Sequence, residues 1–119
     1  MNTKILKEVS ELDSLNNNDL YKLIGQESDN KSFGITGKDD KRLQQRGKNI
    51  FRLKLPEIKT ILCNNEIFKK LIHNHLNKSR TEIAAVVADI LLTEIDIVPV
   101  CVISLLIARE YMESLCDDE

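Results

Sequence analysis

The sequence predicts an all-α protein, a compact bundle of five or six helices around a hydrophobic C-terminal helical hairpin (about 80–95 and 99–116). Most of the strongly apolar sequence lies between Ser79 and Cys116, and the earlier sequence carries its apolar residues at the spacing of amphipathic helices. With 119 residues, of which 42% are hydrophobic and 30% charged, the chain has the length and composition of a single soluble helical domain.

Residues 1–25 predict two N-terminal helices. The polar run 16–19 ends the first and offers a cap for a short second helix, Asp19 to Ile24, which Gly25 closes in the left-handed conformation. The next residues, 26–38, are polar and contain two glycines, so they predict a loop. The first helix, from about Thr3 to Leu15, has these apolar residues at helical spacing: Ile5, Leu6, Val9, Leu12 and Leu15.

Residues 39–78 predict basic amphipathic helices. A third helix should begin near Asp39-Asp40, because carboxylates suit a helix N-terminus, and should keep one apolar side through Cys63. Pro56 interrupts this pattern: it either kinks one long helix at Leu55 or begins a new short one. A further helix follows, with a buried stripe made of Ile67, Phe68, Leu71, Ile72 and Leu76.

The hairpin, residues 79–116, opens with the capping-box pattern Ser79-Arg80-Thr81-Glu82, so a helix should start at about Arg80. Ten of the thirteen residues from Ile83 to Ile95 are apolar, which is too many for a helix with a wide wet face. This helix is therefore predicted to be the central, mostly buried one. Its polar residues fall on one narrow stripe, made of Glu82, Asp89, Thr93 and Asp96.

Pro99 suits the first turn of the second hairpin helix, because its missing N–H would be unpaired there. We therefore predict a tight connection at 96–98 and a helix from Pro99 to Cys116, although the β-branched residues 97–103 could instead form a short strand. Two such hydrophobic helices are hard to cover in a small domain, so we expect an uncovered apolar patch at the bend. The candidate interface residues are Ile97, Pro99, Val100, Val102 and Ile103.

Charge is segregated along the chain. Residues 38–80 contain twelve Lys or Arg and four acids, whereas residues 81–119, which end in the acidic tail 117–119, contain one Arg and nine acids. The basic block could pack against the acidic edge of the hairpin, or it could form a ridge for nucleic-acid phosphates. A pI near 5.7 and an aromatic content of 4% weigh against the ridge. Its candidate nucleic-acid-binding residues are Lys41, Arg42, Arg46, Lys48, Arg52 and Lys59.

The residue types that form active sites and metal sites lack a suitable spacing. His73 and His75 are two residues apart, so their imidazoles would diverge on a helix. Cys63, Cys101 and Cys116 are an odd number without a Cys-x-x-Cys pair, which favours free, packed thiols over a disulfide framework. We predict no catalytic residue, no metal site and no cofactor.

Stable membrane insertion is not expected. Asp89, Glu94, Asp96 and Pro99 divide the apolar sequence into pieces shorter than the roughly 20 residues that a spanning helix needs. The N-terminal sequence is amphipathic and lacks the apolar region of a secretion signal, so the expected location is the cytoplasm.

These observations favour a non-enzymatic small helical protein-interaction module that binds a protein partner or forms a homo-oligomer. The abundance of Asn, Ile and Lys suggests an AT-rich bacterial or phage genome, so the expected role is that of an accessory, immunity or inhibitor protein of a bacterial or phage conflict system. The alternative is a nucleic-acid-binding regulator that uses the basic segment 38–80.

Overall fold

Six α-helices make up the fold in the computed structural model, which describes residues 3–29, 40–74, 78–96 and 99–116. The helices are α1 (Thr3–Leu12), α2 (Asn17–Asp29), α3 (Asp40–Cys63), α4 (Glu66–Asn74), α5 (Arg80–Glu94) and α6 (Val100–Glu110). The predicted all-α bundle around a C-terminal hairpin is confirmed. None of the described helices combines the length and the hydropathy needed to cross a membrane.

The α5–α6 hairpin is the centre of the bundle. Seven of the fifteen residues of α5 are buried, and so are eight consecutive residues of α6, Cys101–Ala108. Burying one large aliphatic side chain contributes roughly 1.5–3 kcal/mol, so the hairpin supplies a large part of the stability. The predicted polar stripe on α5 lies outward, with Glu82, Thr93 and Asp96 exposed and Asp89 half-buried.

Helix α6 has different bounds from those predicted. Pro99 is the N-cap residue, with φ −85° and ψ 119°, and the helix ends at Glu110 rather than Cys116. Residues 111–116 form successive turns, because Tyr111 leaves the helical conformation at φ −124° and ψ 0°. The alternative of a strand is wrong for residues 100–103, which are helical, and residues 97–98 lie outside the described ranges.

Helix α1 is shorter and helix α2 longer than predicted. Helix α1 ends at Leu12, and the Asn16 side-chain oxygen accepts a hydrogen bond from the Asp19 N–H at 2.8 Å, which caps α2. Helix α2 continues through Gly25 to Asp29, so Gly25 does not close it and residues 26–29 are helical. The rest of the predicted loop lies outside the described residues.

Gly25 instead lies where α2 and α3 approach most closely. A Cβ on Gly25 would overlap the carbonyl oxygen of Leu43, and a Cβ on Gly47 would overlap that of Tyr21. The two contacts are four residues apart on each helix and run in opposite directions, so the helices are antiparallel and meet backbone to backbone. A side chain at either glycine would hold the helices apart.

Replacing Gly47 with Ala should lower the free energy of unfolding by about 1–3 kcal/mol, because the added methyl group meets the Tyr21 carbonyl. At an exposed helical position the same change stabilises by roughly 0.5–1 kcal/mol, so the sign of the effect tests the close approach. Urea unfolding followed by circular dichroism measures it, with Lys54→Ala on the exposed part of α3 as the control. A Gly47→Ala protein more stable than the wild type would contradict this packing.

The predicted capping box opens α5. The Ser79 hydroxyl oxygen accepts a hydrogen bond from the Glu82 N–H at 3.1 Å, and the Glu82 carboxylate accepts one from the Ser79 N–H at 3.0 Å. The hydrogen bond from the Ser79 backbone is the main reason why the pKa of Glu82 is lowered, followed by the Ser79 side chain.

Replacing Ser79 with Ala should lower the free energy of unfolding at pH 7 by about 1 kcal/mol, the usual effect of a lost N-cap. Since the folded pKa of Glu82 is lowered, its contribution is present above the unfolded pKa and is lost as the pH falls through the folded pKa. Glu82→Gln should therefore flatten the acid side of the stability profile. Urea unfolding at a series of pH values measures both effects, with Ser10→Ala on exposed α1 as the control. If the stability of Glu82→Gln varied with pH in the same way as that of the wild type, the lowered pKa of Glu82 would be contradicted.

Candidate functional site

A mostly apolar hollow of about 330 Å³ opens between α3 and the turns that follow α6. Its floor is aliphatic and aromatic, and two cations stand among its lining residues. We name it the Pro56 groove. Its lining residues are Arg52, Leu55, Pro56, Lys59, Tyr111, Ser114 and Leu115.

The first wall of the groove is α3 around Pro56. The helix continues through Pro56 to Cys63, so the alternative of a new helix at Pro56 is wrong. Proline has no N–H, which leaves the Arg52 carbonyl without its intrahelical donor, and the Thr60 hydroxyl donates to the Pro56 carbonyl at 3.1 Å. The proline ring is exposed, and Leu53, one turn earlier, is 80% exposed. This part of α3 therefore presents apolar groups to solvent.

The second wall consists of the turns 111–116. The Tyr111 N–H donates to the Ile107 carbonyl at 2.9 Å, and the Leu115 N–H donates to the Tyr111 carbonyl at 2.8 Å. The side chains of Met112 and Leu115 are buried, which anchors the turns on the core. The chain thus turns back toward α3 instead of continuing as a helix.

A disulfide bond between Cys63 and Cys116 joins the two walls at one end, with the Cα atoms 5.7 Å apart. This bond corrects the expectation of three free thiols. The two cysteines are 53 residues apart in sequence, so only the packing of the C-terminal turns against the end of α3 brings them together. Cys101 is free and buried, and its burial raises its pKa to about 12, with a smaller effect from Glu8. It is a protonated packing thiol at neutral pH.

Three aromatic rings connect α2, α3 and the second wall. Tyr21 and Phe51 meet edge to face with centroids 6.0 Å apart, and Phe51 meets Tyr111 at 5.6 Å. The Lys48 ammonium lies 5.7 Å from the centroid of the Tyr21 ring. Burial, followed by the effects of Tyr111 and Glu110, raises the pKa of Tyr21. These contacts fix the beginning of the second wall against α3.

A polar network lies at the C-terminal end of α6. The Arg109 guanidinium, whose side chain is 11% exposed, donates to the Asn17 side-chain oxygen at 3.0 Å and to the Asp13 carbonyl at 2.9 Å. Asn17 donates in turn to the Glu110 carboxylate at 2.9 Å. The network ties the α1–α2 turn to the end of α6.

A second hollow of about 390 Å³ adjoins this network. Three cations and two carboxylates share its lining, so its charge selects neither anions nor cations. The lining residues are Lys78, Arg80, Ile83, Ala108, Arg109, Glu110, Met112 and Glu113.

The six residues predicted to bind nucleic acid all lie on α3, but their surroundings differ. Lys48 is half-buried over the Tyr21 ring, and Lys59 is half-buried in the Pro56 groove. The exposed members are Lys41, Arg42, Arg46 and Arg52.

The predicted interface at the bend of the hairpin is largely covered. Val102 is 4% exposed and Ile103 is fully buried, because α6 is enclosed on every side from Cys101 to Ala108. These two are core residues and offer no surface to a partner. Pro99 and Val100 are half-buried, and Ile97 lies outside the described residues. Sequence reasoning missed the Pro56 groove. Its one sequence signal is Pro56 inside an amphipathic helix, three residues after the exposed Leu53.

Within the described ranges, no group of three or more His, Cys, Asp or Glu side chains is placed to hold a metal ion. His73 is exposed near the end of α4, and His75 lies outside those ranges.

No family model, no curated protein and no solved structure matches this chain. Its activity must be inferred from its own residues.

Proposed function

We propose that the protein is a non-enzymatic helical protein-interaction module and that the Pro56 groove is its docking surface. The observation that supports this proposal is an apolar groove that is open to solvent and bordered by Arg52 and Lys59. Covering apolar surface contributes roughly 25 cal/mol per Å², so a partner gains free energy by filling the groove.

The occupant that fits this groove is an amphipathic segment of another protein, with carboxylates beside two or three large apolar side chains. The apolar side chains would pack on Leu55, Pro56 and Tyr111, and the carboxylates would meet Arg52 and Lys59. Arginine can hold a carboxylate through two parallel hydrogen bonds. The exposed cations of α3 would help to attract such a partner. They include Lys41, Arg46 and Lys54.

The proposal includes a cytoplasmic location and a role as an accessory, immunity or inhibitor protein of a bacterial or phage conflict system. A small domain that occupies an acidic segment of a larger protein would suit such a role. Size and composition support this part, and the groove supplies the chemistry of recognition.

Two groove variants should weaken binding of the partner that the wild-type protein captures from its source cell. Arg52→Glu with Lys59→Glu replaces two attractions with repulsions, which amounts to about 1–2 kcal/mol, or roughly 5–30-fold in Kd. Pro56→Ser removes an exposed apolar ring from the groove lining without touching the core. Calorimetry with the purified partner measures each Kd.

Matched controls lie outside the groove. Lys54→Glu reverses an exposed charge on the same helix, and Leu92→Ser removes an apolar side chain that is 50% exposed on α5. Both controls should bind like the wild type, and equal losses in controls and groove variants would contradict the docking site. If the protein is a dimer and the groove variants make it a monomer, the groove binds a second copy of the chain. That result would contradict the proposal of an acidic partner.

A nucleic-acid-binding regulator is the second candidate function, and the exposed cations of α3 favour it. Lys41, Arg42, Arg46 and Arg52 are exposed along one continuous helix of 24 residues. At 1.5 Å per residue the cations from Lys41 to Arg52 span about 17 Å, roughly half a turn of B-form DNA. Such a helix could lie along phosphates without reading bases.

If α3 binds duplex DNA, the variant Lys41→Glu, Arg42→Glu, Arg46→Glu should abolish the binding while leaving the Pro56 groove intact. The wild-type affinity should fall steeply between low and moderate salt, because each neutralised phosphate releases counterions. Fluorescence anisotropy with a labelled duplex at several salt concentrations measures it. The absence of binding at low salt would eliminate this candidate.

A further inference from the structure

We propose that the disulfide bond between Cys63 and Cys116 is a reversible redox switch that fixes or releases the second wall of the Pro56 groove. The switch rests on the proposed docking function, since it would control binding at that same groove.

The bond lies where it can hold this wall. Tyr111, Ser114 and Leu115 line the groove, and all three follow the last residue of α6. Cys116 comes directly after them and is bonded to Cys63, the last residue of α3. The disulfide therefore links the last residue of the second wall covalently to the last residue of α3.

The remaining contacts hold the two ends of the wall unequally. The ring of Tyr111 packs on Phe51 of α3, so the beginning of the wall has its own anchor. The Ser114 and Leu115 N–H groups both donate to the Tyr111 carbonyl, at 3.2 Å and 2.8 Å, which fixes the shape of the turns rather than their position against α3. At the end of the wall, Leu115 is buried in the core, whereas Ser114 is exposed and Cys116 is half-buried. Loss of the disulfide should therefore leave Leu115 as the main anchor of this end and loosen it more than the beginning.

The two disulfide-bonded cysteines are more exposed than the third cysteine. Cys63 and Cys116 are half-buried, whereas Cys101 is 3% exposed inside α6. Since exchange requires a thiolate, and burial raises the pKa of Cys101 to about 12, Cys101 takes no part. Thiol–disulfide exchange is therefore confined to Cys63 and Cys116.

The reductant is a dithiol, either a small molecule or a protein. One thiolate of the dithiol attacks a sulfur of the pair, the S–S bond breaks and a mixed disulfide forms; the second thiol then displaces the protein sulfur. The protein gains two electrons and two protons and becomes a dithiol, and the reductant leaves as a disulfide. In the proposed cytoplasmic location, persistent disulfides are rare and reversible ones serve as sensors, which matches this chemistry.

Reduction should leave the hairpin core in place, because the buried residues of α5 and α6 lie outside the two segments that the disulfide joins, the end of α3 and the turns 111–116. A loosened wall must be ordered again when the partner binds, and this ordering weakens binding. We expect the reduced protein to bind the captured partner at least about fivefold more weakly than the oxidised protein.

Hydrogen–deuterium exchange of the full chain, oxidised and reduced with dithiothreitol, tests the switch without a partner. The expected result is a roughly tenfold faster exchange at 111–116 and at the last turn of α3, with α5 and α6 still protected. Alkylation in denaturant without reductant should label Cys101 alone. Labelling of all three cysteines, unchanged exchange at 111–116, or lost protection throughout α5 and α6 would each overturn the proposal.

Two variants complete the experiment. Cys101→Ala should respond to dithiothreitol like the wild type, and Cys63→Ser with Cys116→Ser should match the reduced protein and no longer respond. If that double variant does not fold, a dithiothreitol titration of Cys101→Ala still decides the result. If exchange changes as expected but the affinity for a groove-dependent partner does not, the switch is overturned and the docking function stands. If the affinity is insensitive to Arg52→Glu with Lys59→Glu, the docking function itself fails.

Discussion

The burial of eight consecutive residues of α6, Cys101–Ala108, is the constraint on which the rest of this fold depends. From Cys101 to Ala108 no residue is more than 9% exposed, and a helix covered on all sides needs neighbours on all sides. Helices α1, α2 and α5 supply them. Even Ser104 is buried, and its hydroxyl has no hydrogen-bond partner among the described residues. Such a group costs about 1–3 kcal/mol, which the apolar burial around it outweighs.

This arrangement of helices determines where α3 lies, and the position of α3 in turn determines where the groove forms. Gly25 and Gly47 let α3 approach α2 backbone to backbone, so α3 uses one side for α2 and keeps the other for solvent. With 24 residues against 13, α3 extends beyond the start of α2. The chain returns to this uncovered part after α6, and the hollow beside Pro56 forms between them. Recognition and redox control are thus proposed for one small region of the molecule.

Sequence reasoning succeeded where structure is decided within a few residues. The capping box at Ser79, the start of α3 at Asp40 and the narrow polar stripe of α5 follow from neighbours three to seven positions away. It failed at Gly25, whose usual role is to end a helix; here the approach of Leu43 from another helix makes glycine necessary inside α2. It also failed at Val102, because the number of apolar residues at the bend does not reveal that other helices cover it.

The sequence by itself determined the helical class, the apolar hairpin as the core and the segregation of charge, since all three depend on residue type and local periodicity. Only the tertiary structure decided the pairing of Cys63 with Cys116, the burial of Ile103 and the existence of the Pro56 groove. Each of these depends on contacts between segments far apart in the chain. The order of residues does not reveal such contacts until the helices have packed.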